Sequence, residues 1–344
     1  MEHTASTREL GEFGLIARLT SGLPVNAGVI VGVGDDAAVL TCPPDTDAVA
    51  TCDAQVEGRH FVRAVVTPEQ VGRKALAVNL SDIAAMGATP RAALVSLMLP
   101  AETSIEWLDG LYGGLRAEAA EFGVAIIGGN VAATSGPLIV DVTLLGQVAR
   151  GRAVLRSGGG VGDRLYVTGT LGAAAAGLLT FGGRSPTGRE VVDSVLAEVR
   201  AAHLTPQPRV NVGIALANTG AITAMLDVSD GLAADLAHLC ARSEVGALVD
   251  SAALPIDAAT RAVAVAYGRD PLELAMSGGE DYELLFAARA GTDDAVAAAV
   301  AAAGGTARAI GWLTEPALGM RVRGEDGAEA QLLARGWDHL MSPT

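Results

Sequence analysis

The stretch PEQVGRKALAVNLSDIAAMGATP (68–90), followed at once by RAALVSLMLP (91–100), carries the clearest information on the fold of this chain. Pro68 suits the first turn of a helix, where its missing N–H costs nothing, and Gly87 and Pro90 are residue types that end helices. The apolar run that follows has the length and composition of a strand. A helix followed directly by a strand indicates a mixed α/β domain.

On both sides of this pair, short apolar runs alternate with longer amphipathic ones, but not in a regular strand–helix–strand series. The pattern predicts an α/β fold of the α+β type, with long antiparallel strands and flanking helices. A glycine-rich turn, RSGGGVGD (156–163), is the best candidate for a boundary between domains at 1–150 and 151–344. Further strands are predicted at 47–53, 124–129, 138–148, 164–169, 221–230, 246–250 and 281–288, and further helices at 103–122, 171–180, 189–202, 209–218, 231–240 and 294–304.

The composition narrows the possible partners. The 344 residues carry a formal net charge of −15, with a sequence pI of about 4.7, so the chain repels a nucleic-acid backbone. Aromatic residues make up only 3%, so Ala, Val and Leu must fill the cores. The three cysteines are too scattered for a disulfide framework or a zinc site. Neither a signal peptide nor an apolar run of about 18 residues is visible, so we expect a cytoplasmic protein without a membrane span.

Two familiar phosphate-binding arrangements do not fit the sequence. Lys74 is the only lysine and does not stand in a Walker A loop, and the protein-kinase motif set is absent. The loop VGVGDDAAVL (31–40) has the glycine spacing of a dinucleotide-binding turn. However, Pro43 and Pro44 follow so closely that only a short strand fits there, not the helix that such a turn requires. Its two aspartates would also repel a pyrophosphate.

Acidic residues recur at the ends or in the middle of apolar elements. Buried acids need donors, cations or metals as partners, and one lysine cannot serve them all. Asp82, with Asn79 one turn earlier, is either a ligand for Mg²⁺ or part of the polar stripe of a helix. The acids that share this kind of position are Asp35, Asp36, Asp53, Asp82, Asp227, Asp230, Glu280 and Asp281.

Two of these acids flank a serine where a strand changes to a helix. In LDVSDGLAADL, Asp230 alone could be a helix N-cap, but that role does not require Asp227 as well. A strand-end carboxylate, the Ser229 hydroxyl and a helix-start carboxylate together suit a site for metal and phosphate.

The motifs GEFGLIARL, GVGDDAAVL, EGRHF, KALAVNLSDIAAMGA, RSGGGVGD, LDVSDGL, SGGEDYEL and RGWDHL occur in this order. Together, from about Gly11 to Leu340, they resemble the thiamine-monophosphate kinase family, within the superfamily of aminoimidazole ribonucleotide synthetase and selenophosphate synthetase. The resemblance implies a two-domain fold of that superfamily, with ATP and metal bound by the N-terminal domain and a homodimer formed through its sheet. The implied reaction transfers the γ-phosphoryl of ATP to thiamine phosphate with several Mg²⁺ ions and often K⁺.

The resemblance also implies roles for individual residues. Glu280 and Trp337 would lie with His60 at the thiamine end, where the indole could stack on a cationic ring. Alternatively, His60 is a packed loop residue, Tyr112 a surface helix residue and Trp337 a C-terminal anchor. The implied metal site comprises Asp36, Thr51, the Cys52 backbone, Asp53, Asp82, Asn130, Asp227 and Asp230, and the implied nucleotide site comprises Tyr112, Gly129, Arg156 and Ser229.

The sequence departs from the family pattern at two places. Asn130 stands where the family usually has an aspartate after two glycines, so one negative charge is lost although a carbonyl oxygen remains. Cys52 and Ala54 replace hydroxyl side chains beside Asp53. These departures keep two alternatives open: a superfamily member that phosphorylates or activates another substrate, and a protein that binds nucleotide or thiamine phosphate without transfer.

Overall fold

A computed structural model of the protein describes residues 15–23, 28–31, 38–183 and 185–337. The chain forms two compact units, which are described separately below. The first comprises Met1–Ile83 and Thr89–Gly151, and the second comprises Ala84–Ala88 and Arg152–Thr344. The functional roles predicted for the two domains do not follow from this division and stay predictions.

The first unit contains a four-stranded sheet of long strands. They are β3 (Thr46–Val56), β4 (Thr89–Leu99), β5 (Ala125–Ala133) and β6 (Ile139–Ala149), preceded by a short ribbon of β1 (Val29–Val31) and β2 (Val39–Leu40). The order is β3-β6-β4-β5, with β6 antiparallel to both neighbours and β4 parallel to β5. The predicted long antiparallel strands are therefore confirmed, and so is the short strand ahead of Pro43.

Helices α2 (Pro68–Ala85) and α3 (Ile105–Glu121) belong to the same unit, and 15–20 is the described part of α1. The Ser104 hydroxyl caps α3 by accepting a bond from the backbone N–H of Trp107. A Cβ at Gly72 would overlap the Leu111 carbonyl, and one at Gly114 would overlap the Glu69 carbonyl. These two glycines let α2 and α3 approach closely, which is how a core with few aromatic rings is filled.

The predicted helix over 68–90 begins correctly at Pro68 but is too long at its end. It stops at Ala85, and Gly87 has a left-handed backbone (φ 64°) that suits a residue beyond a helix terminus. Pro90 does not end the helix; it lies within β4, paired with Gly146. The sequence therefore identified both elements and misplaced the turn between them.

The second unit is built on a seven-stranded sheet in the order β13-β12-β9-β11-β7-β10-β8. Only the β12–β9 pair is parallel among these neighbours. Its strands are β7 (Arg164–Thr168), β8 (Ile222–Val228), β9 (Gly246–Asp250), β10 (Glu283–Ala288), β11 (Ala307–Thr314), β12 (Met320–Arg323) and β13 (Glu329–Gln331). Its helices are α4 (Ala173–Leu179), α5 (Asp193–Leu204), α6 (Val210–Thr219), α7 (Leu232–Ser243), α8 (Ala258–Ala266), α9 (Pro271–Ser277) and α10 (Asp293–Ala302).

Aliphatic side chains form the core of this unit. Leu165, Leu226, Leu236 and Leu285 are at most 1% exposed and belong to one cluster. The start of β10 is fixed by a buried network, since Arg209 donates two bonds to Glu283 at 2.5 and 2.7 Å. This network holds the strand that follows the SGGEDYEL motif.

The predicted α/β fold of the α+β type is confirmed, but several elements were missed or displaced. The prediction had no α8, α9, β11, β12 or β13, and it placed α5 at 189–202 rather than Asp193–Leu204. The predicted strand 281–288 begins only at Glu283, because Glu280 and Tyr282 have positive φ angles that a strand cannot include.

Candidate functional site

Two acidic clusters contain several of the described residues that the sequence singled out. The first, here called the acid pair, consists of Asp53 on β3 and Asp82 on α2. Thr51, two residues before Asp53 and therefore on the same face of the strand, donates a hydrogen bond to an Asp82 oxygen. The carboxyl groups of Asp53 and Asp82 lie close enough to interact. The predicted metal ligands Thr51, Asp53 and Asp82 are thus brought together, whereas Asp36 lies outside the described residues.

The acid pair is electrostatically unfavourable as it stands. Burial, and after it the neighbouring carboxylates of Asp82 and Asp141, together raise the pKa of Asp53 to about 6. Asp53 therefore holds a proton more tightly than an ordinary carboxyl group does. A divalent cation between such oxygens would replace that proton, so the pair fits an oxygen-binding metal such as Mg²⁺.

The side chain of Cys52 lies on the opposite face of β3. Its thiol donates to Asp141 at 3.2 Å and accepts from Thr143 at 3.5 Å. The bond from Thr143 lowers the pKa of this thiol, but burial and Asp141 outweigh it, so the net shift is upward. Only the Cys52 backbone was predicted to contribute to the metal site, and that prediction stays open.

Asn130 lies on β5, where the register pairs it with Ser96 on β4, which in turn pairs with Asp141 on β6. Directly paired residues share a face of a sheet, so Asn130 lies on the Cys52 face and not beside the acid pair. Gly129 is needed sterically, because a Cβ there would overlap the Val95 carbonyl. The predicted ligand roles of Asn130 and Gly129 stay predictions.

Two other predicted residues of the first unit have defined surroundings. Tyr112 is 6% exposed in α3, and burial raises the pKa of its hydroxyl to about 12, so it is not the surface residue of the alternative interpretation. His60 accepts a bond from the Val56 backbone N–H through Nδ1 at 2.9 Å. The neutral imidazole therefore carries its proton on Nε2.

The second cluster, here called the Ser229 turn, consists of residues 227–231 between β8 and α7. Asp227 is 4% exposed near the end of β8, and Gly231 is the N-cap of α7, with φ 115° and no side-chain cap. The interpretation of Asp230 as the N-cap is therefore wrong. Asp235 in the first turns of α7 reaches back instead and accepts from the N–H groups of Asp230 and Gly231, both at 3.1 Å.

Asp235 was not singled out from the sequence, although it is 3% exposed. The pKa of its carboxyl is raised to about 7, mainly by burial and also by Asp230, although the two N–H groups and Arg156 lower it. The positions of these charges make Asp235 the support of the turn and place the predicted phosphate ligand Arg156 within its electrostatic range. No local signal in the sequence distinguishes Asp235 from an ordinary residue of an amphipathic helix.

Two further segments lie against the Ser229 turn. The Glu280 N–H donates to the Ser229 carbonyl at 2.7 Å, and the Trp337 N–H donates to the Asp230 carbonyl at 3.0 Å. Glu280 has a left-handed backbone (φ 60°), a conformation that costs a non-glycine residue free energy and is common at functional sites. The structure thus brings the predicted residues Ser229, Asp230, Glu280 and Trp337 together.

Asp281, beside Glu280, serves the fold. It accepts from the N–H groups of Gly172 and Ala174 at the start of α4, at 2.8 and 3.4 Å. Burial nevertheless raises the pKa of its carboxyl to about 8, against the lowering effect of these two bonds. The loop that carries Glu280 is therefore tied to α4.

Neither cluster holds a complete metal site made of protein alone. Among the residues that the structure describes, no three His, Cys, Asp or Glu side chains are grouped to hold an ion. Magnesium sites in nucleotide-dependent enzymes usually take one or two carboxylates, with water and phosphate oxygens as the other ligands, so this arrangement is compatible with the predicted metal. The described helices also include none that is long and apolar enough to cross a membrane.

Both parts of the chain are similar to domains of the AIR synthase related proteins. Residues 34–148 match the family described as AIR synthase related protein, N-terminal domain, and residues 160–322 match its C-terminal domain. Hydrogenase maturation protein HypE from Escherichia coli has a similar structure (TM-score 0.74) at 20% identity, which shows a shared fold.

Closer relatives share one name. The thiamine-monophosphate kinase of Synechococcus elongatus is 36% identical over 97% of this chain and 98% of its own, and that of Mycobacterium tuberculosis is 41% identical over 81% and 80%. The crystal structure of thiamine-monophosphate kinase from Stenotrophomonas maltophilia has a TM-score of 0.78 at 37% identity, covering 92% of this chain and 95% of that one. The complex of AaThiL with AMPPCP and TMP has a TM-score of 0.75 at 30% identity, covering 98% and 100%. This chain belongs to the thiamine-monophosphate kinase family.

Proposed function

We propose that the protein transfers the γ-phosphoryl group of ATP to thiamine phosphate, giving thiamine diphosphate and ADP. The observation that carries the proposal is the 36% identity to a thiamine-monophosphate kinase along almost the whole of both chains. The structural similarity to AaThiL in complex with AMPPCP, an ATP analogue, and TMP supports the same two substrates. The enzyme is therefore a phosphotransferase whose acceptor is itself a phosphate group.

The chemistry explains why acids rather than bases dominate the two clusters. The accepting oxygen of thiamine phosphate is already ionised near neutral pH, so no side chain has to remove a proton. The main obstacle is repulsion between the anionic acceptor and ATP, together with their alignment for in-line attack. Bound Mg²⁺ supplies the charge neutralisation that such a reaction needs.

Acidic residues of both clusters are assigned to metal binding. In the proposal, Asp53, Asp82, Asp227 and Asp230 hold Mg²⁺, with Thr51, the Cys52 backbone, Asn130 and Asp36 as the further ligands implied by the family. The raised pKa of Asp53 supports its role, because the proton that Asp53 holds more tightly is what a cation would displace. K⁺ is included as a second cation on the basis of the family alone.

Other residues are assigned to the nucleotide and to the thiamine end of the acceptor. Arg156 and Ser229 hold phosphates of the nucleotide, and the resemblance also assigns Tyr112 and Gly129 to nucleotide binding. Glu280 and Trp337, which lie against the same turn, take the thiamine end together with His60. A carboxylate and an indole suit a cationic heterocycle, the first by charge and the second by its π face.

The proposal includes a homodimer in the cytoplasm, where ATP is available. Its support is the Cys52 face of the four-stranded sheet, on which Leu94, Met98, Ile139 and Leu145 are only partly buried within one chain. A sheet with one face left partly apolar in this way gains stability when a second surface covers it.

The test is to incubate the purified protein with ATP, Mg²⁺ and thiamine phosphate and to measure thiamine diphosphate and ADP. We expect equal amounts of both products, and none when thiamine or another phosphorylated compound replaces thiamine phosphate. ATP consumption with a different acceptor only would favour the superfamily alternative. Binding of both ligands without transfer would favour the non-catalytic alternative, and either result would refute the proposed kinase.

A further inference from the structure

His203 is a buried residue that neither the sequence nor the family motifs singled out. It lies in the last turn of α5 and is 7% exposed. α5 packs tightly on α4, because a Cβ at Gly177 would overlap the Val199 carbonyl and come within 3.1 Å of the His203 Cβ. The Phe181 ring lies 5.9 Å from the imidazole in a tilted arrangement. The position of the imidazole is therefore fixed by packing.

This imidazole faces the carboxylate of Glu280. Nδ1 of His203 is 3.0 Å from Oε2 of Glu280, with the His203 side chain 9% exposed and the Glu280 side chain 28% exposed. The two atoms are close but not aligned as a hydrogen bond, and Nδ1 has no other hydrogen-bond partner among the described residues. The contact thus joins a fixed buried imidazole to a carboxylate that is still partly open to solvent.

The backbone of Glu280 leaves little freedom for this carboxylate. Its φ is 60°, and its N–H is held by the Ser229 carbonyl at 2.7 Å. Gly279 before it cannot take a side chain without approaching the Ser229 carbonyl within 2.9 Å. With the main chain fixed against the Ser229 turn, the direction of the Glu280 side chain depends on what its carboxylate contacts.

We infer that His203 is a positioning residue, which orients the Glu280 carboxylate toward the cationic part of thiamine phosphate. This inference rests on the proposed function for the identity of the ligand. His203 itself touches no substrate, so its loss affects binding of thiamine phosphate through Glu280. ATP binding and phosphoryl transfer do not depend on it.

The test compares His203→Leu, which keeps an apolar side chain against Phe181, with His203→Asn, whose amide nitrogen stands close to the Nδ1 position. We expect His203→Leu to raise the KM for thiamine phosphate on the order of tenfold, the usual size of a lost contact to a charged group, with kcat and the KM for ATP changed by less than about twofold. His203→Asn should recover most of the wild-type KM.

A double-mutant cycle separates positioning from packing. Because His203 acts through Glu280, His203→Leu should have little further effect on KM in a Glu280→Gln background. Arg200→Met is the matched control, since Arg200 lies on the same helix, binds Thr180 at 2.8 Å and, like His203, packs against the Phe181 ring. It should leave the KM for thiamine phosphate unchanged.

The outcomes are distinguishable from failure of the proposed function. If the wild-type protein neither transfers phosphate to thiamine phosphate nor binds it, the proposed function and this inference both fail. Two results would refute only the inference, provided that the wild-type protein phosphorylates thiamine phosphate. The first is a His203→Leu protein with the wild-type KM for thiamine phosphate. The second is that the effects of His203→Leu and Glu280→Gln on this KM are additive. Should His203→Leu not fold, His203→Gln, which moves the amide away from the Nδ1 position, takes its place and must raise the KM where His203→Asn does not.

Discussion

The acid pair and the Ser229 turn solve the problem of a buried carboxylate in different ways. Asp53 and Asp82 face each other, and the pKa of Asp53 rises because burial and a second carboxylate both oppose its charge. At the Ser229 turn, Asp235 accepts two backbone N–H groups, and Glu280 and Trp337 hold the turn from outside. Backbone hydrogen bonds hold the turn, whereas in the acid pair a second carboxylate raises the pKa of Asp53.

The strongest test of this contrast is Asp82→Asn. In the metal-free protein the substitution should raise the melting temperature, because it removes a like charge beside Asp53. Turnover of thiamine phosphate should fall on the order of a hundredfold or more, because an oxygen with negative charge is lost from the proposed Mg²⁺ site. Thermal unfolding without metal and a steady-state assay with Mg²⁺ measure the two effects.

Asp294→Asn is the matched control, since Asp294 is exposed at the start of α10. It should change neither the melting temperature nor turnover appreciably. A metal-free Asp82→Asn protein that is less stable than the wild type would contradict the description of the acid pair as self-repelling.

At the Ser229 turn, in contrast to the acid pair, replacing an aspartate should make the protein less stable. Asp235→Ala leaves two N–H groups in a buried region without their acceptor, which should lower the free energy of unfolding by about 1–3 kcal/mol. Asp235→Asn keeps one oxygen acceptor and should therefore lower the free energy of unfolding by less than Asp235→Ala does. Urea unfolding of the two variants measures the difference, and equal stability of Asp235→Ala and the wild type would show that Asp235 does not support the turn.

The pH dependence of stability sharpens the comparison. The carboxyl groups of Asp53, Asp235 and Asp281 have folded-state pKa values of about 6, 7 and 8, all above the ordinary 3.8. The folded state therefore binds these protons more tightly than the unfolded state does. This contribution to stability is complete below the ordinary pKa and is lost as pH rises through the folded-state values.

The melting temperature of the metal-free protein should accordingly fall as pH rises from about 5 to about 8.5. Mg²⁺ should recover part of the loss in the wild type and less of it in Asp82→Asn, because Asp82 is one of the proposed Mg²⁺ ligands. Asp281→Asn should flatten the upper part of the curve. A melting temperature that rises steadily over this range would contradict the pKa shifts.

The smallest expected effect concerns backbone strain. Glu280 beside the Ser229 turn and Glu244 at the end of α7 both have left-handed backbones, with φ values of 60° and 55°. Glu244→Gly should stabilise the protein by about 0.5–1 kcal/mol in urea unfolding, because glycine adopts this conformation without steric cost. Glu280→Gly should increase the free energy of unfolding by less than Glu244→Gly does, and it should raise the KM for thiamine phosphate. Equal gains, with no change in KM, would mean that Glu280 has no binding role.

The long elements could be predicted from the sequence because their signals are local. Pro68 and the apolar run after Pro90 identified α2 and β4, although Pro90 itself was taken for a helix end. The short strands β12 and β13 were missed, since four and three residues are too few to show an alternating pattern. Their position depends on the pairing of β12 with β9, about seventy residues earlier in the chain.

In the candidate site, too, the residues with a local signal could be predicted and those defined by tertiary contacts could not. Aspartates inside apolar runs, such as Asp53 and Asp82, could be identified because such residues need partners. Asp235 and His203 could not, since each looks like an ordinary residue of an amphipathic helix. Their roles arise from tertiary contacts, in which Asp235 reaches back four residues and His203 meets a loop far along the chain.

The most direct test of the account is the ³¹P NMR spectrum of a reaction containing the wild-type protein, ATP, thiamine phosphate and Mg²⁺. The account predicts that thiamine diphosphate and ADP appear in equal amounts, that EDTA stops the reaction, and that Asp82→Asn gives little product at an unchanged fold. ADP without thiamine diphosphate, or full activity of Asp82→Asn, would contradict it.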